Sequence, residues 1–567
     1  MSPKMYQLFG LVLAVGCAPA PVVWTDPNFQ LQLLDTCSAA DAGFERLDEQ
    51  AEARGIDLIY QPTDEPRPCP SIPGGVVAQD LDDDGDIDLL FHRPEGFPYL
   101  YVNDGAGSFT PHDVPLSSPT GRRVEAQAAA DVDGDGLPEV FIVGEGFAAV
   151  SRNRGGLAFD DFEVLFEQPE YPRTCIVSLG FGDADGDGDL DLVLPGADTS
   201  PYEGAVLSDD PWTLSGEPDR LLLNEGGRFG APTVPAPVGD PGISLLAVLS
   251  DRDMDGDADL LLGTDRPRFG MPPMRFLRND GPGVGGAPSF EDDTSAVGFA
   301  LRTSAMGLDV ADLNGDAWPD YTLSDEGGDL VALLSDGFGG WYDAGAALGL
   351  VGGHHSHPSP PEGWGWSELE SALRRWTTWS VELVDLDNDG WDDLAVTAGE
   401  PPFQGNVALA ARPSFQPDGL YRGGADGVFE DHSHVAGFNA PEGHYGLVSA
   451  DLEGDGAREL VVGVWEGRPQ IWHNPCTRAS MLEVDLVGPP GNREGFGAQV
   501  VVEVDGRLRH REVLGLRTVG QSPSSAHFGL GDAEQVDRLT IYWPDGTVTE
   551  AEDVPARRKV TAFYPME

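Results

Sequence analysis

The chain is poorest in positive charge. Its 567 residues carry 34 Lys and Arg against 96 Asp and Glu, a formal net charge of −62. Nucleic-acid phosphates and anionic bilayers are gripped by clustered Lys and Arg, so this balance argues against both as partners. Long apolar runs are equally scarce. The one near the start, Leu8 to Val15, is too short for a transmembrane span and fits the core of an export signal. The five cysteines lack the close spacing of a zinc site. There is no HExxH, no GxSxG elbow and no acid pair separable from the acidic repeats, so no catalytic residue is assigned and the expectation is a protein that is not an enzyme.

What the chain does have is an acidic nonapeptide, D-x-[DNE]-x-D-[GA]-x-x-[DE], seven times over. Hard divalent cations take several oxygens at about 2.3–2.6 Å, and acids at alternate positions of a tight loop converge on one point. Positions one, three, five and nine should offer side-chain oxygens and position seven its backbone carbonyl. The expected calcium ligands are Asp80, Asp82, Asp84, Asp86 and Asp88 in loop one, and Asp131, Asp133, Asp135, Leu137 and Glu139 in loop two. Loop three supplies Asp183, Asp185, Asp187, Asp189 and Asp191; loop four supplies Asp251, Asp253, Asp255, Asp257 and Asp259. Loop five has Asp312, Asn314, Asp316, Trp318 and Asp320, and loop six has Asp385, Asp387, Asp389, Trp391 and Asp393. Loop seven has Asp451, Glu453, Asp455, Ala457 and Glu459.

The twelfth-position Glu and long flanking helices of an EF-hand are missing. Glycine at the sixth position implies a sharp turn with positive φ. Ala317 departs from this, and with Asn314 it makes loop five the expected weakest site. Up to seven calcium ions, structural in role, are expected. Without them the clustered carboxylates of each loop should repel one another.

Successive motifs start 51 to 73 residues apart, the spacing of a propeller or array. Short apolar stretches flank each loop, as in GGVVAQ before Asp80 and LDLVL at 190–194, and Asn-Gly turns follow, as in YLYVNDGAGSF at 99–109. Four strands per period make an all-β, seven-bladed β-propeller with calcium loops in its blades. These units resemble the FG-GAP or VCBS repeats of integrin alpha chains and the cartilage acidic protein family, which implies calcium-bearing propeller blades. After Glu459 the pattern turns alternating and valine-rich. Gly495 to Val500, His527 to Gly531 and Trp543 to Gly546 resemble the ASPIC/UnbV domain, a small C-terminal β domain. His527 reads as a packed, hydrogen-bonded residue, and Trp543–Gly546 as a hairpin turn.

The resulting domain plan is a lipoprotein signal peptide at 1–16, a leader at 17–72, the propeller at 73–476 and the ASPIC/UnbV-like domain at 477–567. The stretch 44–61 resembles later inter-blade segments and should close the ring against the last or first blade. Ala14 to Cys17 resembles a bacterial lipobox, with Cys17 as the lipidated residue. The expected location is therefore an exported, membrane-anchored lipoprotein facing the periplasm or cell surface, a secreted protein being the alternative. Cys37, Cys69, Cys175 and Cys476 are then disulfide candidates, with Cys37–Cys69 favoured on proximity out of three possible pairings. An insertion at 351–379 carries His354, His355, His357 and an aromatic helical pattern ending at Trp376, a candidate ligand face. The favoured function is a calcium-binding surface scaffold for an unknown protein or glycan partner, anchored by lipid only. A secreted polysaccharide hydrolase or lyase is the alternative.

Overall fold

The computed structural model describes residues 28–34, 46–60, 74–168, 174–198, 217–235, 242–265, 272–283, 286–301, 303–325, 330–350, 376–399, 416–439, 443–464, 466–475, 479–516 and 519–565. Every acidic loop joins the first two strands of its own sheet. Loop one links Val76–Gln79 to Asp88–Phe91, loop two Val124–Ala130 to Glu139–Gly144, and loop three Gly180–Gly182 to Asp191–Leu194. Loop four links Ser244–Ser250 to Asp259–Thr264, and loop five Leu308–Ala311 to Asp320–Leu323. Loop six links Thr378–Val384 to Asp393–Ala398, and loop seven His444–Ala450 to Glu459–Val464. A third antiparallel strand follows in each sheet.

These first two strands are buried along their whole length, without the polar alternation of a one-sided sheet. Both of their faces are covered, because neighbouring sheets pack face to face. Val77, Leu90, Ala129 and Val140 join the first sheet to the second, and Ala128, Phe141, Phe181 and Leu192 the second to the third. Further clusters carry the packing round from the third sheet to the seventh. Ala78, Leu89, Val448 and Val461 return it from the seventh to the first. The fold is a β-propeller.

Residues 46–60 close the ring as their sequence suggests. Asp48–Glu49 pairs with Trp472 and His473 as the outer strand of the seventh sheet, while Ala51 and Ile56 enter the cluster between the seventh and first sheets. Another described part of the leader lies with the C-terminal domain. Phe29–Leu33 pairs with Arg558–Phe563, in a C-terminal sheet that also holds Ser480–Val487 and Ser525–Gly531. A second C-terminal sheet is built from Gln499–Val504, Arg507–Glu512, Gln535–Tyr542 and Val548–Pro555.

The C-terminal domain is also more than an appendage. Gly520–Gln521 pairs in parallel with Val76–Val77, the innermost strand of the first sheet. Gln521 exchanges both amide hydrogen bonds with the Ala129 backbone of the second sheet. Glu512 accepts from Ser250 of the fourth, Ser522 donates to Glu382 of the sixth, and the Ser449 amide of the seventh donates to Ser522. Leu514 packs with Leu308 and Val310 of the fifth. A segment that meets the inner strands round the ring lies on its axis, so residues 512–516 and 519–522 plug the propeller.

Candidate metal centres

Five of the seven loops share one hydrogen-bond plan in full, and loops four and six keep its sixth-residue bond. The first-position Asp caps its own turn. Asp183 Oδ1 accepts from Gly186 N at 2.8 Å and its Oδ2 from Gly188 N at 2.9 Å; Asp80, Asp131, Asp312 and Asp451 do the same toward their fourth and sixth residues. This plan requires positive φ at the sixth position, as expected: Gly85 lies at 93° and Ala317 is held at 64°. It also requires positive φ at the fourth, which the sequence conceals, since Asp83, Met254 and Asn388 take it at 63°, 54° and 57°. The fifth-position acid accepts the seventh residue's N–H, as from Asp86 to Asp84 at 3.0 Å and from Trp318 to Asp316 at 2.9 Å.

The ninth-position acid is the deepest. Asp191 accepts from Ala184 N at 2.9 Å and from Asn224 N at 2.8 Å, tying the loop to the end of the third strand. Asp88, Asp320 and Asp393 make the equivalent pair of bonds. Burial pushes these carboxyls up, Asp88 to about 7, Asp191 and Asp320 to about 8 and Asp259 to about 9. The turn asparagines, read from the sequence only as hairpin residues, bind across blades as well. Asn153, Asn224, Asn279 and Asn474 each donate to the second-position carbonyl of the preceding loop, and Asn103 reaches Leu452 of loop seven, closing the circle.

Carboxylate oxygens converge where the spacing places them. Asp80, Asp82 and Asp88 form one group, and so do Asp131, Asp133 and Glu139, Asp183, Asp185 and Asp191, and Asp251, Asp253 and Asp255, each with its ligand atoms within 4.8 Å of one another. In loop seven the group is Glu453, Glu459 and His473; His473 was missed because it stands on the third strand, outside the nonapeptide. Buried oxygens without a hydrogen bond recur at these points: Asp82 Oδ1, Asp185 Oδ1, Asp253 Oδ1 and Glu139 Oε1, while Asp259 Oδ2 and Asp385 Oδ1 also lack one but already face Arg252 and Arg509. A buried anionic oxygen is costly unless a cation faces it, so this donor set fits a hard divalent ion.

Basic side chains approach some loops. The position one residue beyond the third-strand partner of the loop's tenth residue is Val102, Leu223 and Leu334 in the first, third and fifth sheets. It is Arg152, Arg278, Arg422 and His473 in the second, fourth, sixth and seventh. Arg152 stays 3.7 Å from Asp133 and 3.8 Å from Glu139, while Arg278 turns to Asp280 and Glu291. Arg422 reaches Asp387 at 2.6 Å and Asp389 at 2.8 Å.

The C-terminal domain seats on the same loops. Glu494 accepts from Asp131 N at 2.6 Å, Glu512 from Asp251 N at 2.9 Å, and Gly491 from Leu190 N at 3.0 Å. Arg511 pairs with Asp392, and Arg458 of loop seven with Glu483. His527 lies in this seam, with Nδ1 2.9 Å from Glu483 and Nε2 2.7 Å from Asn388, so its role is structural. Trp543–Gly546 turns a hairpin whose Trp543 N–H donates to Thr547. Trp376 is fully buried and donates to the Pro417 carbonyl, within the propeller core. Cys175 is disulfide-bonded. The signal segment 1–16, Cys17, Cys37, Cys69, Cys476 and residues 351–375, with His354, His355 and His357, lie outside the described residues.

The FG-GAP-like repeat model matches residues 80–142 and 131–194, the FG-GAP repeat model 377–409, and the ASPIC and UnbV model 488–566. No curated protein matches the chain. Similar solved structures include an Agrocybe aegerita lectin that recognises non-reducing terminal N-acetylglucosamine, 19% identical over 63% of this chain and 79% of that one, with a TM-score of 0.37. A Trypanosoma rangeli sialidase in complex with sialic acid is 10% identical over 68% and 58%, with a TM-score of 0.35. Saccharomyces cerevisiae Sqt1 is 11% identical over 71% and 97%, with a TM-score of 0.39. Likeness at this level says nothing about ligands. The chain is an FG-GAP repeat protein built on a β-propeller and ending in an ASPIC and UnbV domain.

Proposed function

We propose that the protein is a calcium-stapled propeller scaffold, exported and held at a membrane by the Cys17 lipid, that binds a protein or glycan partner without transforming it. The observation that carries the calcium reading is the set of buried, unbonded carboxylate oxygens within the acidic loops. Calcium's role there is cohesive. It neutralises the first, third and ninth acids, which already hold the turn and the third strand by hydrogen bonds. A partner would meet the face opposite the loops, because the C-terminal domain covers the loop face. The plug formed by residues 512–516 and 519–522 weighs against the alternative of a polysaccharide-cleaving site in the central channel, since that channel is filled by Glu512, Leu514, Gln521 and Ser522.

Calcium titration of the full chain by calorimetry, paired with thermal melts in calcium and in chelator, tests the reading. Several ions bound and a large fall in melting temperature on chelation are expected. Absence of binding with an unchanged melt would reduce the seven loops to acidic turns. A glycan array probed with the calcium-loaded chain then tests the partner class.

A further inference from the structure

We propose that loop six takes no divalent ion, because arginine already occupies its cation site. This rests on the calcium reading of the other loops. Arg422 stands on Gly419–Arg422, the third strand of its sheet, one residue beyond Tyr421, the partner of Leu394. From there Nε and Nη2 both donate to Asp387 Oδ2, at 3.0 and 2.6 Å, and Nη2 also donates to Asp389 Oδ2 at 2.8 Å. One guanidinium thus bridges the third and fifth acids, the pair that would hold an ion. Among the described residues no other loop shows this bridge. Arg252 donates to Asp253 at 3.0 Å and lies 3.6 Å from Asp259, spanning the third and ninth acids rather than the third and fifth, and Arg54 reaches only Glu453 in loop seven.

The remaining charges of loop six are met from the C-terminal domain. Arg509 is half-buried and its charge acts on Asp385, whose Oδ1 accepts no hydrogen bond. Arg511 pairs with Asp392, and the Arg507 guanidinium lies 4.4 Å from the ring centre of Trp391, the loop's seventh residue. Asn388 donates to the Gly456 carbonyl and meets His527, so the turn itself is fixed from both sides. An ion entering here would have to break three charge-assisted bonds and displace the Arg422 guanidinium. Loop six is therefore a calcium-independent anchor between propeller and C-terminal domain.

Ion counting by native mass spectrometry of the full chain tests this. Asp387→Asn with Asp389→Asn should leave the number of bound calcium ions unchanged, whereas Asp185→Asn with Asp187→Asn in loop three should remove one. Arg422→Leu, which gives loop six the Leu223 setting of the third sheet, should add one. Loss of an ion on changing Asp387 and Asp389 overturns the proposal, as does an unchanged count in Arg422→Leu that still folds. A melt in chelator separates this proposal from the calcium reading itself. Even if the wild-type chain binds no calcium, Arg422→Leu should melt several degrees lower, and an unaltered melt would overturn the arginine assignment.

Discussion

The first, third and fifth sheets differ from the second, fourth and sixth at one register position. Val102, Leu223 and Leu334 stand where Arg152, Arg278 and Arg422 stand in the others. The same acidic turn is thus set in two surroundings, one leaving its charge to an external ion and the other bringing a basic side chain to the neighbourhood. Reach then matters as much as identity. Arg278 is turned away, Arg152 hovers at the margin and Arg422 enters. A nine-residue motif is therefore an incomplete description of its own electrostatics.

Chelation should produce the largest effect. Each ion bound at ten times its dissociation constant contributes about 1.4 kcal/mol, so removing several should lower stability by several kcal/mol in a calorimetric melt. Asp387→Asn should cost about 1–2 kcal/mol in calcium and in chelator alike, because it removes the charge that Arg422 is bonded to. Asp185→Asn should behave oppositely in the two conditions. It should destabilise in calcium by about 1–2 kcal/mol and stabilise slightly in chelator, where Asp183, Asp187 and Asp189 repel it. Identical behaviour of Asp185→Asn and Asp387→Asn would erase the distinction.

Protons provide an independent check. Burial raises the folded values of Asp88, Asp191 and Asp320 to about 7 to 8 from an ordinary value near 4. A carboxyl raised on folding gives stability that is full below its unfolded value and lost as pH rises through the folded one. In chelator the melting temperature should therefore fall between about pH 4 and 8, and calcium should flatten that slope. Leu223→Arg should make loop three less dependent on calcium, with one ion fewer and a gain of up to about 1 kcal/mol in chelator. The smallest effect belongs to Ala317→Gly. Releasing a non-glycine residue from φ 64° should add about 0.5–1 kcal/mol, visible as a slightly higher melt.

The sequence carried the propeller because each blade repeats a local rule: a buried strand, an acidic turn, a buried strand, and in five of the seven a turn asparagine. Asp80, Asp82 and Asp88 could be grouped from spacing alone because the loop is short enough to fix its own geometry. What escaped was non-local. Arg422 and His473 touch their loops through strand register, and Asn224 binds a carbonyl of the preceding blade, at Val132. The plug escaped for the same reason, since nothing in the segment from Glu512 to Ser522 announces that it will lie on an axis made by the rest of the chain. His527 was readable as structural, but its partners Glu483 and Asn388 come from opposite sides of a domain seam.

Two strands far apart in sequence meet: Phe29 is in register with Ala562, and Leu31 with Val560. Closing a contact over nearly the full length carries the largest loop-closure entropy and the slowest search that the chain can present. The last strand also lies alongside Ser480–Val487 in parallel, so its arrival completes the sheet that holds Glu483 over loop seven. A chain cut short by its final ten residues would lose both pairings, leaving the edges of Phe29–Leu33 and Ser480–Val487 bare. Both Phe29–Leu33 and Ser480–Val487 thus depend on Arg558–Phe563, the strand that arrives last, for a pairing partner.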